Sequence, residues 1–301
     1  MKRSAKSRED APYIAPRGRF WIAGFLLIIG LRHLASILAR LKRKLFGIRY
    51  APGPNTMPRS IPRIIYIYWD KGEAAAPMMV RECIASWRRC NPGWDVHVLS
   101  ASDVPEFVEL SDEMVRSLPV QSFADLLRLR LLRKTGGVWA DATLFCIAPL
   151  DHWLPVLAQR GFFAFSWTEA DRWRIWPDVR RRMTNWFLAS EAEGTVIGTW
   201  EAHASGYFQN RTSPHTYYWP HFMIDWLYLR HRTFRQALDA APQLGAFAPH
   251  LVHDCVTRNG DDDAVQALLR AGVAPVQKLR WNYDEATVGR ALAMLRGSES
   301  L

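Results

Sequence analysis

The stretch from Ser122 to Thr143 limits what this chain can fold into more than any other. Leucines at 126, 127, 129, 131 and 132 leave almost no polar face. That predicts a helix buried over most of its surface. Ser122 stands three residues ahead of Asp125, the spacing of a capping box with Asp in place of the usual Glu or Gln. Arg133 and Lys134 suit the negative end of the helix, and Gly136 or Gly137 supplies the left-handed residue that ends it. Val138-Trp139-Ala140 then predicts a short buried strand with Asp141 at its C-terminal tip. Open α/β sheets bind their ligands at that edge.

The polar residues within this apolar stretch carry the chemistry. Asp125 and Arg128 are three apart and share one helix face. A carboxylate and a guanidinium on a buried helix, close to a strand-end Asp141, suit a ligand bearing hydroxyls and phosphates. Spacing alone favours the plainer arrangement, in which Asp125 and Arg128 simply pair and Asp141 caps a turn.

The rest of the chain reads as alternating strands and helices. Ile61–Asp70 predicts a strand that opens on a proline, Ala75–Arg89 an amphipathic helix stopped by Asn91-Pro92-Gly93, and Trp94–Leu99 a second strand. A strand–helix–strand start predicts a parallel α/β sheet with right-handed crossovers. Further on, Glu106–Leu118 reads as polar helix, Leu144–Leu150 as strand or loop, Asp151–Ala158 as helix, Phe162–Trp167 as strand and Gly194–Phe208 as helix. The basic, Trp-containing loop at 171–184 is either a lid that aims arginines at phosphate or a solvated charge run. His221 and Asp225 are four apart on one helix face, as a metal ligand or acceptor orienter, or as an ordinary helix-start pair. Cysteines 83, 90, 146 and 255 show neither zinc spacing nor a disulfide framework, so buried reduced thiols are expected. Most of the 14 tryptophans belong in a core.

The net charge of +10 sits at one end. Residues 1–50 hold 12 Lys or Arg and 2 acids, and the remainder balances at 27 of each sign. A nucleic-acid-binding body usually carries its own positive charge, so no nucleic acid is expected as partner. Residues 20–31 are uninterruptedly apolar; as a helix they span about 18 Å, short of the ~30 Å hydrocarbon core. Continuing to Leu41 reaches spanning length but places Arg32 near the middle. No small-residue cleavage site precedes the basic cluster at 42–44. An interfacial helix among anionic headgroups suits this pattern best, with a spanning helix or a docked core helix as the other readings. The expected organisation is a membrane-associating segment at 1–50, a linker at 51–60 and a single α/β domain at 61–301.

Ser122-Phe-Ala-Asp-Leu-Leu-Arg128, followed after a short gap by Gly136-Gly-Val-Trp-Ala-Asp-Ala-Thr143, resembles the core of the capsular polysaccharide synthesis proteins. These are relatives of glycosyltransferase family 32, whose pattern is Asp-Leu-Leu-Arg, then Gly-Gly-(Ile/Val)-(Tyr/Trp)-x-Asp-x-Asp. The likeness extends over most of residues 60–285: Ile61-Pro-Arg-Ile-Ile opens it, Asn185-Trp-Phe-Leu-Ala falls in the middle, and Val276-Gln-Lys-Leu-Arg-Trp281 closes it.

The resemblance implies a GT-A-like nucleotide-binding fold with a mostly parallel central sheet flanked by helices. It also implies transfer of a sugar from a nucleotide-sugar donor to a polysaccharide or glycolipid acceptor, with retention of configuration, at the cytoplasmic face of the cell membrane. Carried over residue by residue, it puts Trp69 against the base, Asp125 on ribose or sugar hydroxyls, Arg128 and Lys278 (or Arg280) on the diphosphate, and Asn185 in the sugar pocket. Asp141, Thr143 and His221 would hold a divalent cation, Mn²⁺ or Mg²⁺, with Asp225 orienting the acceptor. The second Asp of Asp-x-Asp is Thr143 here, a weaker and neutral ligand. The alternatives are a catalytically weak scaffold of a membrane polysaccharide complex, and an anionic-lipid or nucleic-acid binding module driven by residues 1–50.

Overall fold

The computed structural model describes residues 34, 37, 38, 41, 59–109, 118–167, 182–209 and 211–297. The chain divides into two compact units, Met1–Met57 and Pro58–Leu301. In the first, Leu34, Ile37, Leu38 and Leu41 are helical and exposed. Among the described residues no helix is long and apolar enough to cross a membrane.

The second unit runs β1 (Ile64–Tyr68), α1 (Met78–Cys90), β2 (Asp95–Leu99), α2 (Val104–Phe107), α3 (Val120–Thr135), β3 (Gly137–Ala140), β4 (Leu144–Cys146), α4 (Leu150–Leu157), β5 (Phe162–Ala164) and β6 (Phe187–Ser190). It continues with α5 (Thr195–Phe208), α6 (Trp219–Arg230), α7 (Arg232–Ala240), α8 (Leu251–Arg258), α9 (Asp262–Arg270), β7 (Val276–Lys278) and α10 (Glu285–Arg296). Five strands form the central sheet in the order β2-β1-β3-β6-β5. β1 pairs in parallel with both β2 and β3, as the strand–helix–strand start predicts. β6 then runs antiparallel to β3 and to β5.

The sheet is therefore mixed, which corrects the expectation of a mostly parallel one. β6 enters from the direction opposite to a crossover strand, and alternation of apolar residues carries no information about that direction. A separate antiparallel pair joins β4 to β7, with Leu144 opposite Lys278.

Each strand distributes its side chains to two helical layers. Tyr66, Tyr68, Trp139 and Leu188 join the core formed with α3, α5, α6 and α7. Their neighbours Ile65, Ile67, Val138, Ala140, Phe187 and Ala189 pack with α1 and α4 on the other face. Burial on both faces explains why these strands read as continuous apolar runs. A third core gathers Met79, Cys83 and Phe145 with α8, α9 and α10. Trp87, Trp139, Trp200 and Trp219 are fully buried, in line with the core role expected for most tryptophans.

α3 is buried along most of its length, as its leucines require. Its start differs from expectation. The helix begins at Val120 with Pro119 at the cap and no side-chain cap bond. Ser122 is inside the first turn and buried, so there is no capping box. Proline fixes the φ of the entry residue without needing a side-chain acceptor. Asp125 is thereby free of the backbone and available to other side chains.

At the far end Gly136 and Gly137 both have positive φ, 69° and 103°. A Cβ on Gly136 would come within 2.6 Å of the Ala192 amide nitrogen, and one on Gly137 within 2.7 Å of the Ile64 carbonyl oxygen. Only glycine lets β3 leave the helix and insert between β1 and β6.

Candidate active site

β1 and β3 end at the same edge of the sheet. Their register pairs Tyr66 with Trp139, and continuing it sets Asp141 level with Tyr68, one residue short of Trp69. Asp141 follows β3 directly; its amide N–H donates to the Trp186 carbonyl at 2.9 Å, and its own carbonyl accepts from the Leu144 amide at 2.8 Å. This turn starts β4 and aims the carboxylate back at α3.

There Asp125, Arg128, Asp141, Asn185, Lys278 and Thr143 form one connected network. Arg128 Nη1 is 2.9 Å from Asp125 Oδ1, and Nη2 is 3.4 Å from Asp141 Oδ1. Nη1 also donates to the Asn185 carbonyl at 2.7 Å, and the guanidinium lies 5.0 Å from the centre of the Trp139 ring. The Asn185 amide donates to Asp125 Oδ1 at 2.9 Å. Lys278 Nζ is 3.2 Å from Asp141 Oδ2 and donates to the Thr143 hydroxyl. Helix α3, the tip of β3, the entry to β6 and the end of β7 thus converge on two carboxylates and two cations. The plainer reading, in which Asp125 and Arg128 merely pair, describes only part of this, because Arg128 bridges to Asp141 as well.

The two carboxylates have opposite characters. Burial pushes Asp125 up to about 6, against the opposing pull of Arg128, and the negative charge of Asp141 adds to the rise. For Asp141, burial also raises the pKa, but Lys278, Arg128 and the Trp139 indole together outweigh it and hold the group below the usual carboxylate range. Asp141 stays ionised near neutrality, while Asp125 is the group within reach of a proton. The Asp141 side chain is 26% exposed and that of Asp125 only 11%, so Asp141 is the more accessible of the two.

The remaining predicted residues stand apart from this network. Trp69 is partly buried at the end of β1, and its ring meets Trp281 edge-on with centroids 6.3 Å apart. His221 is buried in the first turn of α6, its ring tilted against Tyr218. It lies two residues beyond Trp219, whose indole adjoins Asp125. Asp225 accepts from Arg182 Nε at 2.8 Å, and the same guanidinium lies 3.4 Å from the centre of the Tyr228 ring. Arg280 lies near His253, which accompanies Tyr283; burial and then the Arg280 charge push that imidazole down to about 4. The basic loop at 171–184, read as either a lid or a solvated charge run, lies outside the described residues apart from Arg182, Met183 and Thr184.

One member of the network, Trp139, and one ring packed on Trp69 outside it, Trp281, escape the sequence reading. Trp139 donates its indole N–H to Asp141 Oδ1 at 2.9 Å. The strand period of two already sets residues 139 and 141 on one face. Trp281, 55% exposed, closes the Lys-Leu-Arg-Trp run, in which the charged residues draw attention first.

The donor set does not suit a protein-built divalent site. Among the described residues no group of three or more His, Cys, Asp or Glu is placed to hold a metal ion. Both Asp141 oxygens already face cations, and the Thr143 hydroxyl accepts from Lys278.

Known proteins share parts of this chain. "Glycosyltransferase afumC" of Aspergillus fumigatus is 34% identical over 103 residues, 30% of this chain and 26% of that protein. "O-glycosyltransferase braB" of Annulohypoxylon truncatum is 32% identical over 102 residues, 29% of this chain and 24% of that protein. The match thus spans about a quarter of the length of either relative. The solved structure of "PaToxG Glycosyltransferase" aligns with 80% of this chain and 88% of its own, at 13% identity and a TM-score of 0.35. A model of the capsular polysaccharide synthesis protein family matches residues 36–293, and the chain belongs to that family.

Proposed function

We propose that this protein is a glycosyltransferase that moves a sugar from a nucleotide-sugar donor to a glycan acceptor in the synthesis of surface polysaccharide. The observation that carries the reading is the single network joining Asp125, Arg128, Asp141 and Lys278 at the edge where β1 and β3 end. Membership of the capsular polysaccharide synthesis family and the names of the partial relatives support it. The GT-A-like fold assignment and a catalytic domain beginning near residue 61 belong to the same proposal.

The chemistry follows from charge. As the anomeric C–O bond breaks, its electron pair stays on the nucleoside diphosphate. The acceptor hydroxyl oxygen forms the new C–O bond, and its proton passes to the departing diphosphate oxygen. Arg128 and Lys278 are the cations available to that growing charge, and fixed cations stabilise it most where it is largest, in the transition state. Asp125 and Asn185 are positioned to bind sugar or ribose hydroxyls, with Trp69 and Trp281 as faces for the base. His221, two residues from Trp219, and Asp225, tethered to Arg182, border the acceptor side in this reading. Asp141, held by two cations and an indole N–H, is a poor nucleophile. Attack from the face of the departing diphosphate, with retention of configuration, therefore suits the site better than a covalent intermediate.

The exposed leucine and isoleucine side chains at 34, 37, 38 and 41 recur at helical spacing within a basic segment, which supports association with an anionic membrane surface at the cytoplasmic face. Deletion of residues 1–50 is expected to abolish pelleting with anionic vesicles and to leave donor hydrolysis intact.

The central test is hydrolysis and transfer with a panel of nucleotide sugars, read by release of nucleoside diphosphate. One donor is expected to turn over, and Asp141→Ala to lose activity by about 100-fold or more. Wild-type rates in Asp141→Ala, or no donor hydrolysed by the native chain, would refute the assignment.

A further inference from the structure

The side chains of Asp141 and Thr143, two apart after β3, are where the family pattern would hold a divalent cation. In this chain an ammonium group stands between them. Lys278 Nζ is 3.2 Å from Asp141 Oδ2 and donates to Thr143 Oγ1. Backbone pairing delivers it there: β7 sets Lys278 opposite Leu144, and the Leu279 amide N–H donates to the Thr143 carbonyl at 2.9 Å. The other Asp141 oxygen faces Arg128 at 3.4 Å and the Trp139 indole at 2.9 Å. A hard cation binds carboxylate oxygens at about 2.0–2.6 Å. Entry between Asp141 and Thr143 would bring it against a resident positive charge, with no further cluster of carboxylates among the described residues to offset the repulsion.

We propose that Lys278 takes the place of the divalent cation, so that nucleoside diphosphate is bound and expelled against an ammonium group rather than a metal. An ammonium has three N–H donors. Asp141 and Thr143 occupy two, and the third is left for the diphosphate on the accessible side of a side chain that is 20% exposed. Asp141 is then an anchor that orients Lys278, and Thr143 is a neutral acceptor suited to a lysine partner. That accounts for a threonine where the pattern has a second Asp: another carboxylate would cancel the charge the leaving group needs. When the anomeric bond breaks, the electron pair stays on the diphosphate oxygen and the Lys278 N–H donates to it, with no change in the proton count of the lysine.

This inference rests on the glycosyl-transfer reading, and calorimetry separates the two. The full chain is titrated with UDP, GDP, CDP and dTDP, each in EDTA and in excess Mn²⁺. The expected result is that one diphosphate binds with the same affinity, within about twofold, in both conditions. Lys278→Ala should weaken that binding in EDTA by about tenfold or more, Lys278→Arg should retain most of it, and added Mn²⁺ should partly restore Lys278→Ala by filling the vacated position. Binding confined to Mn²⁺, and unchanged in Lys278→Ala, would overturn the inference and leave glycosyl transfer standing. No binding of any diphosphate in either condition would overturn both. If Lys278→Ala fails to fold by near-ultraviolet circular dichroism, the wild-type comparison of EDTA with Mn²⁺ decides the matter alone.

Discussion

Replacing Arg128 with Met tests whether the buried charges are mutually dependent. The guanidinium contacts Asp125 at 2.9 Å and Asp141 at 3.4 Å, and it is only 5% exposed. Methionine keeps the apolar stem but leaves Asp125 buried without its ionic partner and Asp141 with only Lys278 and the Trp139 indole N–H. Removing one member of a buried pair costs about 3–5 kcal/mol, chiefly because the other charge remains. The lower end applies here, since Asp125 can escape by taking a proton: its pKa is already raised to about 6 with Arg128 present, and it rises further without it. With a urea m-value of about 3 kcal/mol/M, near the top of the range for small proteins and fitting for a unit of this size, a loss of about 3 kcal/mol lowers the midpoint by about 1 M. The assay is urea unfolding followed by tryptophan fluorescence at pH 7 and pH 5. At pH 5 Asp125 is mostly protonated in both proteins, so the gap between them should shrink by about half. Asp125→Asn in the Arg128→Met background should recover about 1–3 kcal/mol at pH 7. A gap below about 1 kcal/mol at pH 7, or one that does not narrow on acidification, would refute the coupling.

The two carboxylates should leave opposite marks on the pH dependence of stability. The raised Asp125 contributes stability that is complete below its unfolded pKa and lost as pH rises through about 6; relative to Asp125→Asn, the wild-type protein should lose about 3 kcal/mol across that window in equilibrium unfolding. The lowered Asp141 contributes stability present above its unfolded pKa and lost on further acidification, so Asp141→Asn should flatten the acid limb. Gly136→Ala meets the backbone of residues 190–192 at 2.6–2.9 Å with φ at 69° and should cost about 3 kcal/mol or more, read as a lower melting temperature. Trp281→Ala, at an exposed position, should leave the melting temperature unchanged and weaken nucleoside diphosphate binding by about 1–3 kcal/mol, the worth of stacking on a base.

Much of the architecture was legible because both faces of the sheet are covered. Ile64–Tyr68 and Val138–Ala140 read as buried strands, and the leucines of α3 admitted no exposed face; β6 at Phe187–Ser190 was not legible as a strand at all. The direction of β6 was not legible, since a strand's own apolar pattern does not encode whether it runs parallel or antiparallel to its neighbours. Ser122 misled for a related reason: the capping-box spacing was present, but Pro119 had already set the helix start, and Asp125 was engaged across space by Asn185, 60 positions away in sequence. Within the site, spacing put Asp125 and Arg128 on one helix face and Asp141 at a strand tip, but only the family resemblance singled them out as site residues. The partnership of Lys278 with Asp141 and Thr143 was not legible, because the β4–β7 pairing that creates it joins residues more than a hundred positions apart.

Asp125, Arg128, Asp141 and Lys278 carry equal numbers of positive and negative charges when all four are ionised. Such a balanced quartet exerts little long-range pull on a polyanion in solution, because its field falls off faster than that of a lone charge. In the proposed transfer, donor capture then depends on close-range contacts, chiefly with the Lys278 N–H that Asp141 and Thr143 leave unused. Encounter rates at this site should accordingly vary little with ionic strength, in contrast to the association with an anionic surface proposed for the basic amino-terminal segment, which added salt would screen directly.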